Sequence, residues 1–273
     1  PAGTTNLTPP RGSYADGVTV QRWRIAIAGG LEGKTISFPG LSETRIDVLA
    51  RLGRVDGTVQ LERILAVDPV FQVRASPGSF EVVQTYTTLG VEHILTGFDH
   101  LCFVLALMLI VRGTRRLIWT VTAFTVAHSI TLSLATLGVV NMPGPPVEAV
   151  IALSIVFVAS EIVQQRRGRE GLASKRPWLV AFVFGLLHGL GFAGALAEIG
   201  LPQNAIPLAL LFFNIGVEIG QLLFIGAVWA AAALLLRLAP RRVELRRAVV
   251  IPAYLIGGIA AYWTIERTTT FWS

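Results

Sequence analysis

All four histidines of this chain and several of its carboxylates lie in long apolar stretches, where charged residues are otherwise scarce. An ionisable group in hydrocarbon has no water to solvate it, at ~2.5–3.5 kcal/mol per charge on insertion scales, so such residues are rare unless they serve a site or pathway. The candidate metal ligands are His93, Asp99, His100, His128, His188 and Glu218. Imidazole and carboxylate together suit Ni, Zn, Co, Cu or Fe, and the scarcity of sulfur argues against Cu(I).

Composition predicts that these ligands lie in a membrane protein. With 53% hydrophobic and 15% charged residues and a mean hydropathy of +0.62, the chain has too little polar surface for a soluble domain of its length. A helix needs ~20 apolar residues to cross ~30 Å of hydrocarbon. The stretches that meet this length are about 89 to 111, 117 to 140, 147 to 165, 178 to 199, 205 to 236 and 248 to 265. We therefore expect a mainly α membrane protein in which residues 87–273 form a six-transmembrane-helix bundle.

Basic residues occur in alternate loops between these stretches, around 112–116, 166–176 and 237–247. The positive-inside rule makes those loops cytoplasmic and puts both termini on the extracytoplasmic side of a bacterial inner membrane. Topology then accounts for the net charge of +6, and we expect no nucleic acid as a partner.

Residues 1–86 have the alternating pattern of β-strands, for example at Ile46 and Val48, with turns such as Asp56-Gly57. This predicts a small extracytoplasmic β-sandwich domain that acts as a lid, a folding domain or a docking site for a protein partner. The segment has no His and no Cys, and the single cysteine, Cys102, excludes an intramolecular disulfide. Because the chain opens at Pro1 without a signal peptide, we expect a processed or trimmed precursor.

The depth of the candidate ligands is the more specific signal. At 1.5 Å per residue along straight helices, His100, His128, His188 and Glu218 all lie roughly 15 to 18 Å below the outer surface. His93 lies only ~6 Å deep and should stand above this layer, near the outer mouth. Seven residues separate His93 from His100, which puts both on one helix face, and Asp99 can reach the same cavity from one side.

Other polar residues should support this layer. Asn214, Glu218 and Gln221 form one stripe on the fifth helix, which must face the bundle interior. We expect Asn214 and Gln221 to orient ligands or bridge helices rather than bind metal directly.

Ser129 belongs to a polar patch around His128, and its hydroxyl could bond the preceding helical turn. Glu161 lies ~21 Å from the outside. It is either a pathway residue, as an exit-side ligand or proton acceptor, or an interfacial side chain that snorkels to the surface.

The motifs at these positions resemble those of the HupE/UreJ family of nickel permease-like membrane proteins. The first is His93-Ile-Leu-Thr-Gly-Phe-Asp99-His100, and the others are Phe124-Thr-Val-Ala-His128-Ser, the His188-Gly stretch and Asn214-Ile-Gly-Val-Glu218. The similarity covers roughly residues 88 to 267 and favours the branch with an added extracytoplasmic domain. It implies nickel, whereas the residues alone indicate only a borderline divalent metal.

The leading hypothesis is a passive or proton-coupled permease, not an enzyme, that moves Ni²⁺ or a similar ion from periplasm to cytoplasm. Acidification should weaken binding because a protonated imidazole cannot bind a metal. Two alternatives stay open. One is a non-transporting, metal-binding assembly subunit of a larger membrane complex. The other is an intramembrane zinc hydrolase, although no His-Glu-x-x-His motif is present.

Overall fold

The structure is a computed structural model of the chain. It describes residues 4–9, 11–15, 18–38, 40–43, 47–54, 59–75, 78–192, 205–238 and 245–270. The chain divides into two compact units at Ser79, somewhat before the expected boundary at 86/87. The first helix also begins there, so residues 79–86 are helical rather than part of the β domain.

The N-terminal unit contains short strands that pair as antiparallel two-stranded ladders. The strands are β1 (Thr4–Asn6), β2 (Arg11–Ala15), β3 (Val18–Arg22), β4 (Ile25–Ile27), β5 (Thr35–Ser37), β6 (Val48–Gly53), β7 (Val59–Ile64) and β8 (Val70–Gln72). Within the described residues β1 pairs with β4, β2 with β3, β5 with β8 and β6 with β7.

The core of this unit is small. Leu41, Ile64, Phe71 and Val73 are its buried side chains in the described part of the chain. Alternate residues of β6 face inward, as the alternating sequence predicted. The expected turn at Asp56-Gly57, and Ile46 before β6, lie outside the described residues.

The second unit is helical. Its helices are α1 (Ser79–Thr96), α2 (Phe98–Ile110), α3 (Thr114–Thr136), α4 (Gly144–Arg166), α5 (Leu172–Lys175), α6 (Pro177–Gly191), α7 (Ile206–Leu238) and α8 (Leu245–Thr269). Within the described residues, α3, α4, α7 and residues 249–269 of α8 are long and apolar enough to span a membrane, and the α1–α2 pair makes a fifth span if it counts as one. The chain is therefore a mainly helical membrane protein with four to five candidate spans. The apolar helix α6 is short, and the rest of the expected fourth span, 193–199, lies outside the described residues.

The expected continuous first helix, 89 to 111, is wrong. The helix breaks at Gly97, and α1 and α2 meet at an angle of 72°. Gly97 itself is extended, with φ −79° and ψ 91°. A Cβ at this position would lie 2.8 Å from the His93 carbonyl oxygen and 3.0 Å from His100 Nδ1, so only glycine leaves room for the bend.

Glycines bring the helices of this unit into close contact. The helices pack in pairs, α3 on α6, α1 on α7 and α4 on α8. A Cβ on Gly185 would lie 3.0 Å from the Ala127 Cβ, and one on Gly189 would lie 3.0 Å from the Leu132 amide nitrogen. These two glycines, four residues apart, let α6 approach α3 closely and hold His188 of α6 against α3.

Candidate metal centre

Three histidines from three helices form one group. His93 of α1, His100 of α2 and His128 of α3 each offer a ring nitrogen, and these nitrogens all lie within 4.8 Å of one another. The ring centroids are 4.7 Å apart for His93 and His100, 6.0 Å for His93 and His128, and 6.1 Å for His100 and His128. The group is the candidate metal centre within the described part of the chain, and we call it the three-histidine site.

His93 does not stand above the other histidines, contrary to the expectation from a straight helix. The 72° bend between α1 and α2 lets two residues seven positions apart meet ring to ring. The depth predicted for His93 was wrong because it assumed a straight helix through Gly97, with the same rise per residue throughout. The bend also brings the last turn of α1 and the first turn of α2 to the site.

Each member of the site has a buried ring nitrogen with no hydrogen-bond partner. These atoms are the Nε2 nitrogens of His93, His100 and His128. His128 is fully buried and His100 is 7% exposed. A buried polar atom without a partner costs ~1–3 kcal/mol, so a bound cation would satisfy three such atoms together.

Asn214 fixes the tautomer of His128. The Asn214 amide nitrogen donates to the Leu210 carbonyl at 2.7 Å, which leaves its Oδ1 facing His128 Nδ1 at 3.2 Å. Since Oδ1 can only accept, Nδ1 must carry the proton, and the lone pair of His128 is on Nε2. The orienting role predicted for Asn214 therefore has a direct geometric basis.

Ser154 does the same for His188. Its hydroxyl donates to the Ile151 carbonyl at 2.6 Å, so its oxygen accepts from His188 Nε2 at 3.2 Å. The lone pair of His188 is then on Nδ1, which is buried and without a partner. The His188 ring is 4.9 Å from that of His100, so it adjoins the three-histidine site. Ser154 was missed from the sequence, although it is a buried polar residue in a predicted span.

Aromatic rings cover the site. The His93 ring lies 3.9 Å from that of Phe192, in a tilted arrangement, and 5.5 Å from that of Phe213, and these two phenylalanines are stacked on each other. The Phe124 ring lies 6.1 Å from His100 and from His128. These neighbours could not be predicted from the sequence, because phenylalanine is common in apolar helices.

Asp99 is not part of the three-histidine site. One of its carboxylate oxygens, Oδ2, accepts from Arg267 of α8 at 2.9 Å, and the side chains of both residues are 21% exposed. The other oxygen, Oδ1, is buried without a partner. Arg267 lies beyond the predicted sixth span and was not recognised as a neighbour of the site.

Glu218 and Gln221 form a second polar layer with threonines of α3. The two carboxylate oxygens of Glu218 accept from Thr122 and Thr125, each at 2.6 Å. Thr125 also lies 3.1 Å from the Gln221 side-chain oxygen. Gln221 is fully buried. This layer is displaced by about one helical turn from His128 on α3 and from Asn214 on α7.

The remaining predicted residues have local roles in the structure. The Ser129 hydroxyl donates to the Thr125 carbonyl one turn back, as expected for a serine within a helix. Glu161 is 7% exposed. Its carboxylate accepts from the Leu172 and Ala173 amides at 2.9 and 2.7 Å, so it binds the first free amides of α5. Neither alternative for Glu161 foresaw this contact.

Comparison with known proteins agrees with the motifs. A family model described as HupE / UreJ protein matches residues 71–267, which confirms the resemblance drawn from the sequence. Searches of curated proteins and of solved structures gave no match. The matched range contains every residue of the three-histidine site and all but the last two residues of α8. The chain therefore belongs to the HupE/UreJ family, a family of permease-like membrane proteins for metal ions.

Proposed function

We propose that this protein is a permease that moves Ni²⁺, or a chemically similar divalent ion, from the periplasm to the cytoplasm. The observation that supports this most is the three-histidine site, because three helices deliver ring nitrogens within 4.8 Å of one another inside an apolar bundle. Its family is of the transporter type. The metal is the substrate here, and Co²⁺, Zn²⁺, Cu²⁺ and Fe²⁺ share the ligand preference.

The chemistry of the site fits a transported ion. Its donors are neutral imidazoles, which suit borderline metals and add no negative charge. A permeation site must bind well enough to admit an ion and weakly enough to release it. We assign His93, His100 and His128 as ligands, with the Nδ1 of His188 as the next donor in reach.

The second polar layer extends the path. Thr125 precedes His128 by about one turn on α3, and Glu218 follows Asn214 by about one turn on α7. If the basic loops are cytoplasmic, the step from His128 to Thr125 on α3 and the step from Asn214 to Glu218 on α7 both lead toward the cytoplasm. We therefore propose that the ion passes from the three-histidine site to the oxygen atoms of Glu218 and Gln221, about 5 Å further inward.

The proposal includes the membrane topology expected from the sequence. We propose six spans, with 178–199 as the fourth, in the bacterial inner membrane with both termini outside. We propose further that the N-terminal unit is an extracytoplasmic β-sandwich that docks a protein partner.

Metal uptake tests the proposal. The His100→Ala and His128→Ala variants should lose ⁶³Ni²⁺ uptake into right-side-out vesicles, because each removes one of three ligands. Thr264→Val is the matched control, since this helical hydroxyl only bonds the Ala260 carbonyl within α8. Parent-like uptake in both histidine variants would refute the central site. Metal binding without flux in proteoliposomes would favour the assembly subunit, and metal-dependent hydrolysis would favour the enzyme.

A further inference from the structure

The ion pair next to the site has features of a switch. Arg267 donates to Asp99 Oδ2 from one nitrogen and to the Glu148 carbonyl oxygen from the other, each at 2.9 Å. Its guanidinium carbon also lies 5.7 Å from the centre of the Trp263 ring. Arg267 thereby joins the first turn of α2 to α4 and α8.

The pair is coupled to the three-histidine site by the chain itself. Asp99 directly precedes His100, so one peptide bond separates the paired carboxylate from a ligand of the site. Asp99 Oδ1 is buried and has no partner, so the carboxylate keeps one oxygen unused. An anion this close would strengthen the binding of a divalent cation if it were not already neutralised by Arg267.

Arg267 has a second partner within reach. Its Nε lies 3.8 Å from a Glu148 carboxylate oxygen, and the Glu148 side chain is 52% exposed. A small rotation would exchange the carboxylate of Asp99 for that of Glu148 without leaving the guanidinium unpaired. The structure shows the arrangement paired with Asp99, and an arrangement paired mainly with Glu148 would supply the second discrete state that coupling between an ion and a conformation requires.

We propose that Arg267 is an internal counter-ion that holds Asp99 in reserve and is displaced toward Glu148 when a divalent cation enters the three-histidine site. Asp99 then turns to the cation, and the return of Arg267 to Asp99 helps to release it. This rests on the proposed function, because it assumes that the site binds a transported metal. Arg267 is thus a positioning residue that acts through Asp99 and sets both affinity and turnover.

The variant Arg267→Gln separates this role from a structural one. Without the competing charge, Asp99 is free in every molecule of the variant. If Asp99 is unpaired in about one molecule in ten of the parent protein, the Kd for Ni²⁺ should fall about tenfold in the variant. The Kd is measured on purified protein in nanodiscs. Uptake should show a lower KM together with a lower maximal rate. Arg267→Lys keeps the charge and should restore parent values. Glu92→Gln is the matched control, since this exposed carboxylate also adjoins a ligand, His93, and its Kd should stay within about twofold.

A measurement on the parent protein guards against a misfolded variant. Hydrogen–deuterium exchange in the last turns of α8, residues 264–269, should rise when Ni²⁺ is added. The reason is that Arg267 then leaves Asp99, the more buried of its two carboxylate partners. Exchange that is unchanged by bound Ni²⁺, or a Kd for Arg267→Gln equal to or weaker than that of the parent, would overturn the switch alone. A parent protein that binds neither Ni²⁺ nor Co²⁺ would overturn the proposed function as well.

Discussion

Replacing Asn214 by leucine tests whether the lone pair of His128 is held in place for a metal. Leucine has nearly the same size but cannot accept from His128 Nδ1, which Asn214 does at 3.2 Å. The ring can then place its proton on either nitrogen, and in one of the two tautomers Nε2 cannot bind a cation. Loss of a group that orients a metal-binding histidine lowers affinity about 10- to 100-fold, equal to ~1.4–2.8 kcal/mol.

The fold should also lose some stability, since a buried imidazole N–H left without an acceptor costs ~1–3 kcal/mol. Isothermal titration of Ni²⁺ into the purified Asn214→Leu protein measures the affinity, and thermal unfolding without metal measures the stability separately. Asn214→Asp is the informative companion variant. It keeps an acceptor for His128 Nδ1 and should bind Ni²⁺ at least as tightly as the parent protein. If Asn214→Leu bound Ni²⁺ with the parent Kd, the tautomer argument would be refuted.

Two further predictions concern residues that support the bundle. Glu161→Ala removes the acceptor of two α5 amides and should lower the free energy of unfolding by about 3 kcal/mol. The KM for uptake should stay at the parent value. A raised KM would indicate that Glu161 is a pathway residue. Gly216→Ala drives a Cβ into the Thr87 carbonyl oxygen and should cost ~1–3 kcal/mol by overpacking. Gly226→Ala on the same helix meets nothing within 4 Å and should stabilise by ~0.5–1 kcal/mol; equal thermal melting of the two glycine variants would contradict the assigned α1–α7 contact.

The candidate ligands were recognisable from the sequence because burial in lipid leaves so few reasons for an imidazole. His93, His100 and His128 form one group and His188 adjoins it, whereas the sequence placed His93 above a layer that also contained Glu218. The helical class of the described residues after position 86 followed from hydropathy, but residues 79–86, which were expected in the β domain, are helical as well. These inferences use residue type and length, which do not depend on tertiary contacts.

The arrangement within the layer was not readable, because it depends on one bend. A glycine inside a helical pattern costs only ~1 kcal/mol and is often tolerated. What breaks the helix at Gly97 is the approach of the His93 carbonyl and the His100 ring, which leaves no room for a Cβ. Such crowding is a property of the folded bundle, so a straight-helix estimate misplaced His93.

Pairings between distant segments were also out of reach. Asp99 and Arg267 are separated by 168 positions, and nothing in one sequence links them. The contact of Glu161 with α5 was missed for a related reason. This helix has four residues, which is too short to show a hydrophobic period. Both carboxylates were recognised as unusual, but their partners decided what each one does.

The distribution of charge around the site explains why those partners matter. Three neutral imidazoles can coordinate a divalent ion but cannot neutralise it, and an uncompensated double charge in an apolar interior is costly. Among the described carboxylates, Asp99 is next to His100 in the chain and paired with Arg267, and Glu218 is one turn from Asn214 and accepts from two neutral hydroxyls. On the proposed path, an ion gains Asp99 only by displacing Arg267, whereas it gains Glu218 without competition from an arginine. Glu218 is therefore the stronger anionic partner of the two. A gradient of this kind would favour movement from the histidines toward Glu218.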